Sequence, residues 1–330
     1  MADLTTSYLG LDLRAPIIAS ASPLTGQLDS LLALERAGAG AVVLPSLFQE
    51  EVEAEEMAAV DMMEVGDGFA EFDSAPLAGI DMSGMGTQHH LDLVAEATAN
   101  LSVPVIASVN GSRKGGWVDY AKELVAAGAN GIELNLFSVN TDETESSADV
   151  EERYLEIISA VRAGIDVPLA VKLSQHITGL SAFALRAQQA GADGLVLFNR
   201  FYGAEVDLDA MALTSKLALS TSDELRYPLR WIGILRAQRE GLGLAATSGV
   251  HSGLDAVKAI LVGADVVCTT SEVLHAGPER IGGMIAELDE WLDAHGYPSA
   301  NEARAAMSAA NVPDPGQFER AQYMKVITSR

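Results

Sequence analysis

Cysteine is almost missing from this chain: Cys268 is the single one among 330 residues. No intramolecular disulfide can form, and no thiolate set exists to hold an iron–sulfur cluster. Cys and His paired at metal-ligand spacing are missing too, so no metal is expected. Positive charge is scarce: 21 Lys and Arg face 46 Asp and Glu, a net charge of −25. Such a surface repels nucleic-acid phosphates and anionic membranes, so neither is an expected partner. Long hydrophobic runs are absent. No window reaches the roughly 18 uninterrupted apolar residues of a membrane span, and no basic stretch leads into an apolar run at the start, as a signal peptide would. The expected location is cytoplasmic. Aromatic residues are few, at 5 %.

What is present is apolar and glycine-rich. Hydrophobic residues make 48 % of the chain and charged residues 20 %, with 30 glycines. That composition is globular. One phrase organises it, a helix end, a glycine stop and a short apolar run. It reads Ala37-Gly38-Ala39-Gly40-Ala41-Val42-Val43-Leu44 and recurs from Ala127, from Ala190 and, as Val262-Gly263-Ala264-Asp265-Val266-Val267-Cys268, a fourth time. Glycine after a helix accepts the left-handed backbone that ends it. Apolar runs that do not alternate suit parallel strands buried on both faces. Cys268, inside such a run, is expected to be a buried strand residue.

Further strands enter at Pro16, at Pro104, at Pro168 and near Leu242. The candidates lie near 16–21, 41–46, 104–110, 131–137, 168–173, 194–199, 242–247 and 265–270. Eight strands alternating with helical segments predict an α/β fold, a (β/α)8 TIM barrel. A doubly wound sheet would carry GxGxxG after the first strand, and none is there. The reading is one domain over 1–330, with the barrel over about 4–296. Insertions follow strand two (49–85) and strand six (200–228), and a helical extension covers 297–330.

Barrel chemistry gathers where strands end and loops begin. Those positions hold Ala21, Ser46, Asn110, Asn135, Lys172, Asn199, Arg200, Ser248, Gly249, Thr270 and Ser271. Small residues after strands seven and eight suit a phosphate, through backbone N–H groups and helix dipoles. As ordinary helix caps they would look the same. Lys172 interrupts an apolar strand, which is costly unless the charge is used. It suits either a fixed charge beside a flavin or a Schiff-base nucleophile. Asn110, Asn135 and Asn199 share its level, and amides match a heterocycle's donors and acceptors. His176, four residues past Lys172, is a candidate acid–base group; the pair His89-His90 is expected on a helix surface.

Glu133-Leu134-Asn135-Leu136-Phe137-Ser138-Val139-Asn140 is similar to the strand-four motif of dihydroorotate dehydrogenases. The resemblance covers roughly 4–296. It implies FMN as cofactor, contacted by Ala21, Ser46, Asn135 and Lys172, with its phosphate at Ser248, Gly249, Thr270 and Ser271; Asn110 joins the expected cofactor contacts by sharing their level. It further implies Ser138 at the catalytic-base position and Asn140 and Asn199 at substrate positions. Arg200 is suited to grip a substrate carboxylate. The implied activity is oxidation of dihydroorotate to orotate in pyrimidine biosynthesis, by hydride transfer to flavin N5 with a loop base. The partners would be a small-molecule substrate, dihydroorotate or another carboxylate, and a second copy in a homodimer. Departures mark a divergent branch. Pro45-Ser46 stands where the family has Lys-Ser, and Arg200 where it has Ser or Thr. Ser138 lacks the Cys-Pro context, and Asp81-Met82-Ser83-Gly84-Met85-Gly86 replaces an Asn-Ser-Met-Gly loop. Leu197-Phe198-Asn199-Arg200-Phe201-Tyr202 and Asn311-Val312-Pro313-Asp314-Pro315 identify the branch. Two other readings remain open at this point, a flavin-free aldolase or lyase using Lys172 and a non-catalytic FMN-binding subunit.

Overall fold

The computed structural model describes residues 1–48, 86–110, 117–200, 203–214, 218–320 and 327–328. The insertion over 49–85, with the segment Asp81 to Met85, lies outside the described residues, as do Phe201 and Tyr202.

Eight parallel strands close a barrel. In chain order they are β3 (Ile17–Ala19), β4 (Ala41–Phe48), β5 (Val105–Asn110), β6 (Gly131–Leu136), β7 (Leu169–Leu173), β8 (Gly194–Leu197), β11 (Gly243–Ala246) and β12 (Val266–Thr269). Each pairs with the next, and β12 returns to β3. The eight expected strands are the eight observed, each within two residues at its start. Helices intervene: α1 (Leu28–Arg36), α2 (Thr87–Asn100), α3 (Trp117–Ala126), α4 (Ser147–Gly164), α5 (Leu180–Gln189), α6 (Arg226–Gln238) and α7 (Gly253–Val262). After β12 come α8 (Ser271–Ala276), α9 (Arg280–Ala294), α10 (Ala300–Ala303) and α11 (Gly316–Glu319).

The repeated phrase explains why the units look alike. Its glycines Gly38, Gly128, Gly191 and Gly263 have φ of 105°, 112°, 107° and 123°, a region that a side chain would strain. The next polar residue staples the preceding barrel strand. Side-chain oxygens of Asn130, Asp193 and Asp265 accept the N–H groups of Val105, Leu169 and Leu244 at 2.8, 2.8 and 2.7 Å. In the first copy that position is Gly40, where a Cβ would sit 1.9 Å from the Ala15 carbonyl oxygen. No side chain fits there.

Alternation along the strands divides the core. Val105, Ala107 and Val109 of β5, like Ile132 and Leu134 of β6, face the helices. Ile18, Val43, Ile106, Ala170, Val196, Ala245, Val266 and Cys268 fill the barrel interior. A hairpin of β1 (Thr6–Tyr8) and β2 (Leu11–Leu13) precedes the barrel, and its Tyr8, Leu9 and Leu13 pack onto that interior. The Leu9 side chain lies against the starts of β8 and β11, at Gly194 and Gly243. The hairpin is therefore a floor at the amino ends of the strands.

Beyond α9 the chain packs outside the barrel. Ala300 and Ala303 join Val257 and Ile260 of α7 and Leu288 and Leu292 of α9. The strand-six insertion carries an exposed hairpin, β9 (Glu205–Asp207) with β10 (Ala212–Thr214). None of the described helices is long and apolar enough to cross a membrane.

Candidate active site

A cavity of about 380 Å³ opens at the carboxyl ends of the strands, within the range of small-molecule sites. Its walls include residues at the carboxyl end of each of the eight strands.

Pro45 starts the polar layer. It has no N–H, and the β4–β5 register shifts between Val43 and Ser46, as proline in a central strand requires. The free Pro45 carbonyl meets His90 Nε2 at 2.8 Å. His90 is therefore buried rather than on the helix surface, at 2 % exposure. Burial pushes its pKa down, against the raising effect of the Pro45 bond, and nearby His89 lowers it further. His89 itself is exposed.

Past the shift, Ser46 and Ser108 share a hydroxyl hydrogen bond of 2.8 Å. Asn135 Nδ2 donates to both, at 2.8 and 3.2 Å. Asn135 Oδ1 is buried, and no described group satisfies it. Strand pairing sets Asn110 beside Asn135, and Asn135 beside Lys172. Asn199 lies higher, two residues past β8, with its N–H on the Leu173 carbonyl.

Within this row Lys172 Nζ donates to Glu133 Oε1 at 3.2 Å. Both are buried, at 8 % and 2 % exposure. Glu133 was legible only as part of a motif; that it faces inward follows from strand parity, since it stands two residues before Asn135. Cys268 also lines the cavity. Burial pushes its thiol up to about 12, the Glu133 charge adds to this and Lys172 opposes it. It stays a neutral thiol.

The other end of the cavity is built from loops. Ser248 and Gly249 have φ of 70° and 82°. They form the loop ahead of α7, whose cap is Ser252, accepting from Asp255 N–H. Thr270 and Ser271 open α8. Ser220, from the strand-six insertion, lies against them, and its N–H donates to Ser271 Oγ at 3.1 Å. Sequence reasoning did not reach Ser220, because nothing in the local pattern brings residue 220 to residue 271.

Of the residues expected from sequence, Ala21, Ser46, Asn110, Asn135, Lys172, Asn199, Arg200, Ser248, Gly249, Thr270 and Ser271 line the cavity. Ser138, Asn140 and His176 are not among its described lining residues. Ser138 follows Phe137, which does line it, and shares a 2.8 Å hydrogen bond with the Tyr154 hydroxyl. Asn140 and His176 are exposed. Arg200 faces the cavity, but its fork is closed on Glu224: Nε and Nη2 donate to that carboxylate at 2.9 and 3.2 Å, and Nη1 to the Ala218 carbonyl.

The residues present fit a flavin. The row of amides and a lysine offers donors and acceptors at one level, one buried amide oxygen awaits a donor, and the far end holds hydroxyls and loop backbone.

Comparison with known proteins agrees with this geometry. The family described as Dihydroorotate dehydrogenase matches residues 3–292. The chain is 31 % identical over 297 residues to the dihydroorotate dehydrogenase B (NAD(+)) catalytic subunit of Endomicrobium trichonymphae, covering 87 % of this chain and 90 % of that protein. It is 30 % identical over 242 residues to the same-named subunit of Anoxybacillus flavithermus, covering 71 % and 76 %. A putative dihydroorotate dehydrogenase A (fumarate) of Aeropyrum pernix is 24 % identical over 310 residues, covering 91 % and 96 %. The chain belongs to the dihydroorotate dehydrogenase family, flavoprotein oxidoreductases that act on a CH–CH bond.

Proposed function

We propose that the chain holds FMN in this cavity and oxidises dihydroorotate, or a related carboxylate, at a CH–CH bond. The observation that carries the reading is the row Asn110, Asn135, Lys172 across three adjacent strands, with the unsatisfied Asn135 oxygen inside it. A planar heterocycle with alternating donors and acceptors satisfies such a row. When bound, FMN supplies the two-electron acceptor for the hydride leaving the substrate carbon.

The chain's own residues do the rest. Lys172 fixes a positive charge at the cavity's inner end, where negative charge on a reduced ring system is stabilised. Glu133 holds that ammonium in place. Ser248, Gly249, Thr270 and Ser271 suit the phosphate end, and Ala21 and Ser46 flank the ring position. Asn199 and Arg200 edge the side left for substrate. Ser138, hydrogen-bonded to the Tyr154 hydroxyl, would take the substrate proton only as it hands its own on to water, since a serine hydroxyl is a poor base alone. The buried Lys172–Glu133 pair speaks against a Schiff base, since imine formation needs a neutral amine.

The test is an absorption spectrum of the purified protein, followed by anaerobic dihydroorotate, on the wild type and on Ser138→Ala. The expected result is a flavin spectrum that bleaches in the wild type. In Ser138→Ala it should bleach roughly a hundredfold more slowly, with flavin still bound. Bound flavin that does not bleach would leave the cofactor and overturn the substrate. A colourless protein that takes up no added FMN would overturn the proposal.

A further inference from the structure

Behind the loop end of the cavity runs a chain of hydrogen bonds through three separate segments. Ser220 Oγ donates to Ser271 Oγ at 2.9 Å. His251 Nε2 lies 2.9 Å from Ser220 Oγ. His251 Nδ1 lies 3.2 Å from Glu272 Oε2. Arg280 Nε donates to the other Glu272 oxygen at 3.0 Å, and Arg280 Nη2 to the His251 carbonyl at 3.0 Å. Arg280 is itself anchored by Glu287 at 2.7 Å. Ser220 and Ser271 line the cavity, whereas His251, Glu272 and Arg280 stand behind its wall.

The order serine, histidine, carboxylate also activates nucleophiles in hydrolases. Here a second serine enters the chain. In such a triad the serine gives its proton to the histidine; Ser220 gives its proton to Ser271. The Ser220 oxygen also lies 2.9 Å from His251 Nε2, so the ring holds that side chain in place. At the other nitrogen Glu272 is an acceptor. Burial raises its pKa, but hydrogen bonds from His251 and Arg280 and their charges outweigh this and keep it a carboxylate. The ring is thus held on both sides, by Glu272 at Nδ1 and by Ser220 at Nε2, and Ser220 is held in turn against Ser271. The Ser271 oxygen already accepts twice, from Ser220 N–H and Ser220 O–H. Its own hydroxyl proton remains to be given to something in the cavity.

That something has to be an acceptor, and the site asks for an anion there. The described cations on the cavity wall, Lys172 and Arg200, are both tied to carboxylates, and the chain's net charge is −25. An anion at the loop end would depend on hydroxyls and backbone N–H groups, and on how those hydroxyls are turned. We infer that His251 is a positioning residue that, by holding Ser220, aims the Ser271 hydroxyl at the phosphate of a bound phosphate monoester, with Glu272 and Arg280 fixing the ring. This rests on the reading that the cavity holds FMN. It goes beyond that reading in assigning the phosphate selectivity to a residue that never touches the ligand.

The test compares FMN with riboflavin, which lacks the phosphate, by fluorescence quenching on the flavin-stripped full chain. The variants are His251→Phe, His251→Gln and Ser220→Ala. Removing the relay should cut the preference for FMN over riboflavin roughly tenfold, the scale of one charge-assisted hydrogen bond. Riboflavin affinity should stay as in the wild type, and His251→Gln, which keeps an N–H donor, should recover part of the preference. The double variant His251→Phe with Ser220→Ala should lose no more than either alone, since both break one chain. An unchanged preference would overturn the inference, and so would an equal fall for both flavins, which marks a structural role only. If His251→Phe does not fold, Ser220→Ala decides on the same criteria. Should the wild type bind neither flavin, the FMN reading fails by itself. The relay is then decided by sodium sulfate against sodium chloride at equal ionic strength. A gain in melting temperature that is larger in the wild type than in Ser220→Ala supports it, and equal gains overturn it.

Discussion

At the scale of single residues, the Glu133–Lys172 pair shows what a buried charge does in this barrel. Both groups are almost fully out of water, and each is tolerated because the other is present. Glu133→Ala leaves an uncompensated ammonium, and a loss of about 3–5 kcal/mol in urea unfolding is expected. Lys122→Ala, which breaks an exposed pair with Asp119, should change little. Equal effects of the two substitutions would contradict the burial argument. Lys172 and Asn135 were legible in the sequence because a polar residue in an apolar strand has to be accounted for. Glu133 stood in the same strand and needed only the parity argument. Ser220, His251 and Glu272 were not legible. Each is ordinary in its own segment, and only the closure of the barrel brings the three together.

At the scale of elements, the loop after β11 is the tightest joint of the site. Gly249 has a left-handed backbone, and a Cβ there would lie 2.4 Å from Leu225 N and 3.0 Å from the Thr221 carbonyl. That neighbour is the short 3-10 turn Ser222–Leu225, which carries Glu224 and so holds Arg200. Gly241 is also left-handed, but a Cβ there meets nothing within 4 Å. Gly241→Ala should therefore cost only the backbone term, about 1–2 kcal/mol. Gly249→Ala should cost more and also weaken FMN binding. Melting temperatures and FMN titrations of the pair separate strain from collision; equal losses would remove the turn contact from the account. The strands themselves were readable because the glycine stop and apolar run recur four times. The repeat did not reveal that Asn130, Asp193 and Asp265 staple neighbouring strands, since that use depends on a partner some 20 residues away in sequence. Nor did a helical start at Thr87 reveal that His90 turns inward. The carbonyl that receives it exists because Pro45 breaks the β4 ladder.

At the scale of the whole molecule, acid should act in two stages. His90 is buried with its pKa below the ordinary 6.5. Its unfolded form binds a proton first, so its contribution is full above pH 6.5 and is lost as pH falls from there through the folded value. Asp255 follows. Burial raises its pKa, but bonds from Lys258, Ser222, Ser252 and the His251 N–H outweigh this and hold it below 3.8. Its contribution is present above that value and disappears as pH falls past it. Melting temperature against pH should thus decline from about pH 6.5, with the early limb flattened in His90→Gln and the late limb in Asp255→Asn. An early limb that persists in His90→Gln would show that another group carries it.

The hairpin of β1 and β2 has one more consequence. It closes the barrel below, while the cavity opens above, so the molecule is a cup with a floor and a rim. Among the described residues the opening lies at the rim, so a guest seated deepest has to enter before anything that lies over it. The order of traffic is then a property of the architecture, whatever the affinities of the individual guests.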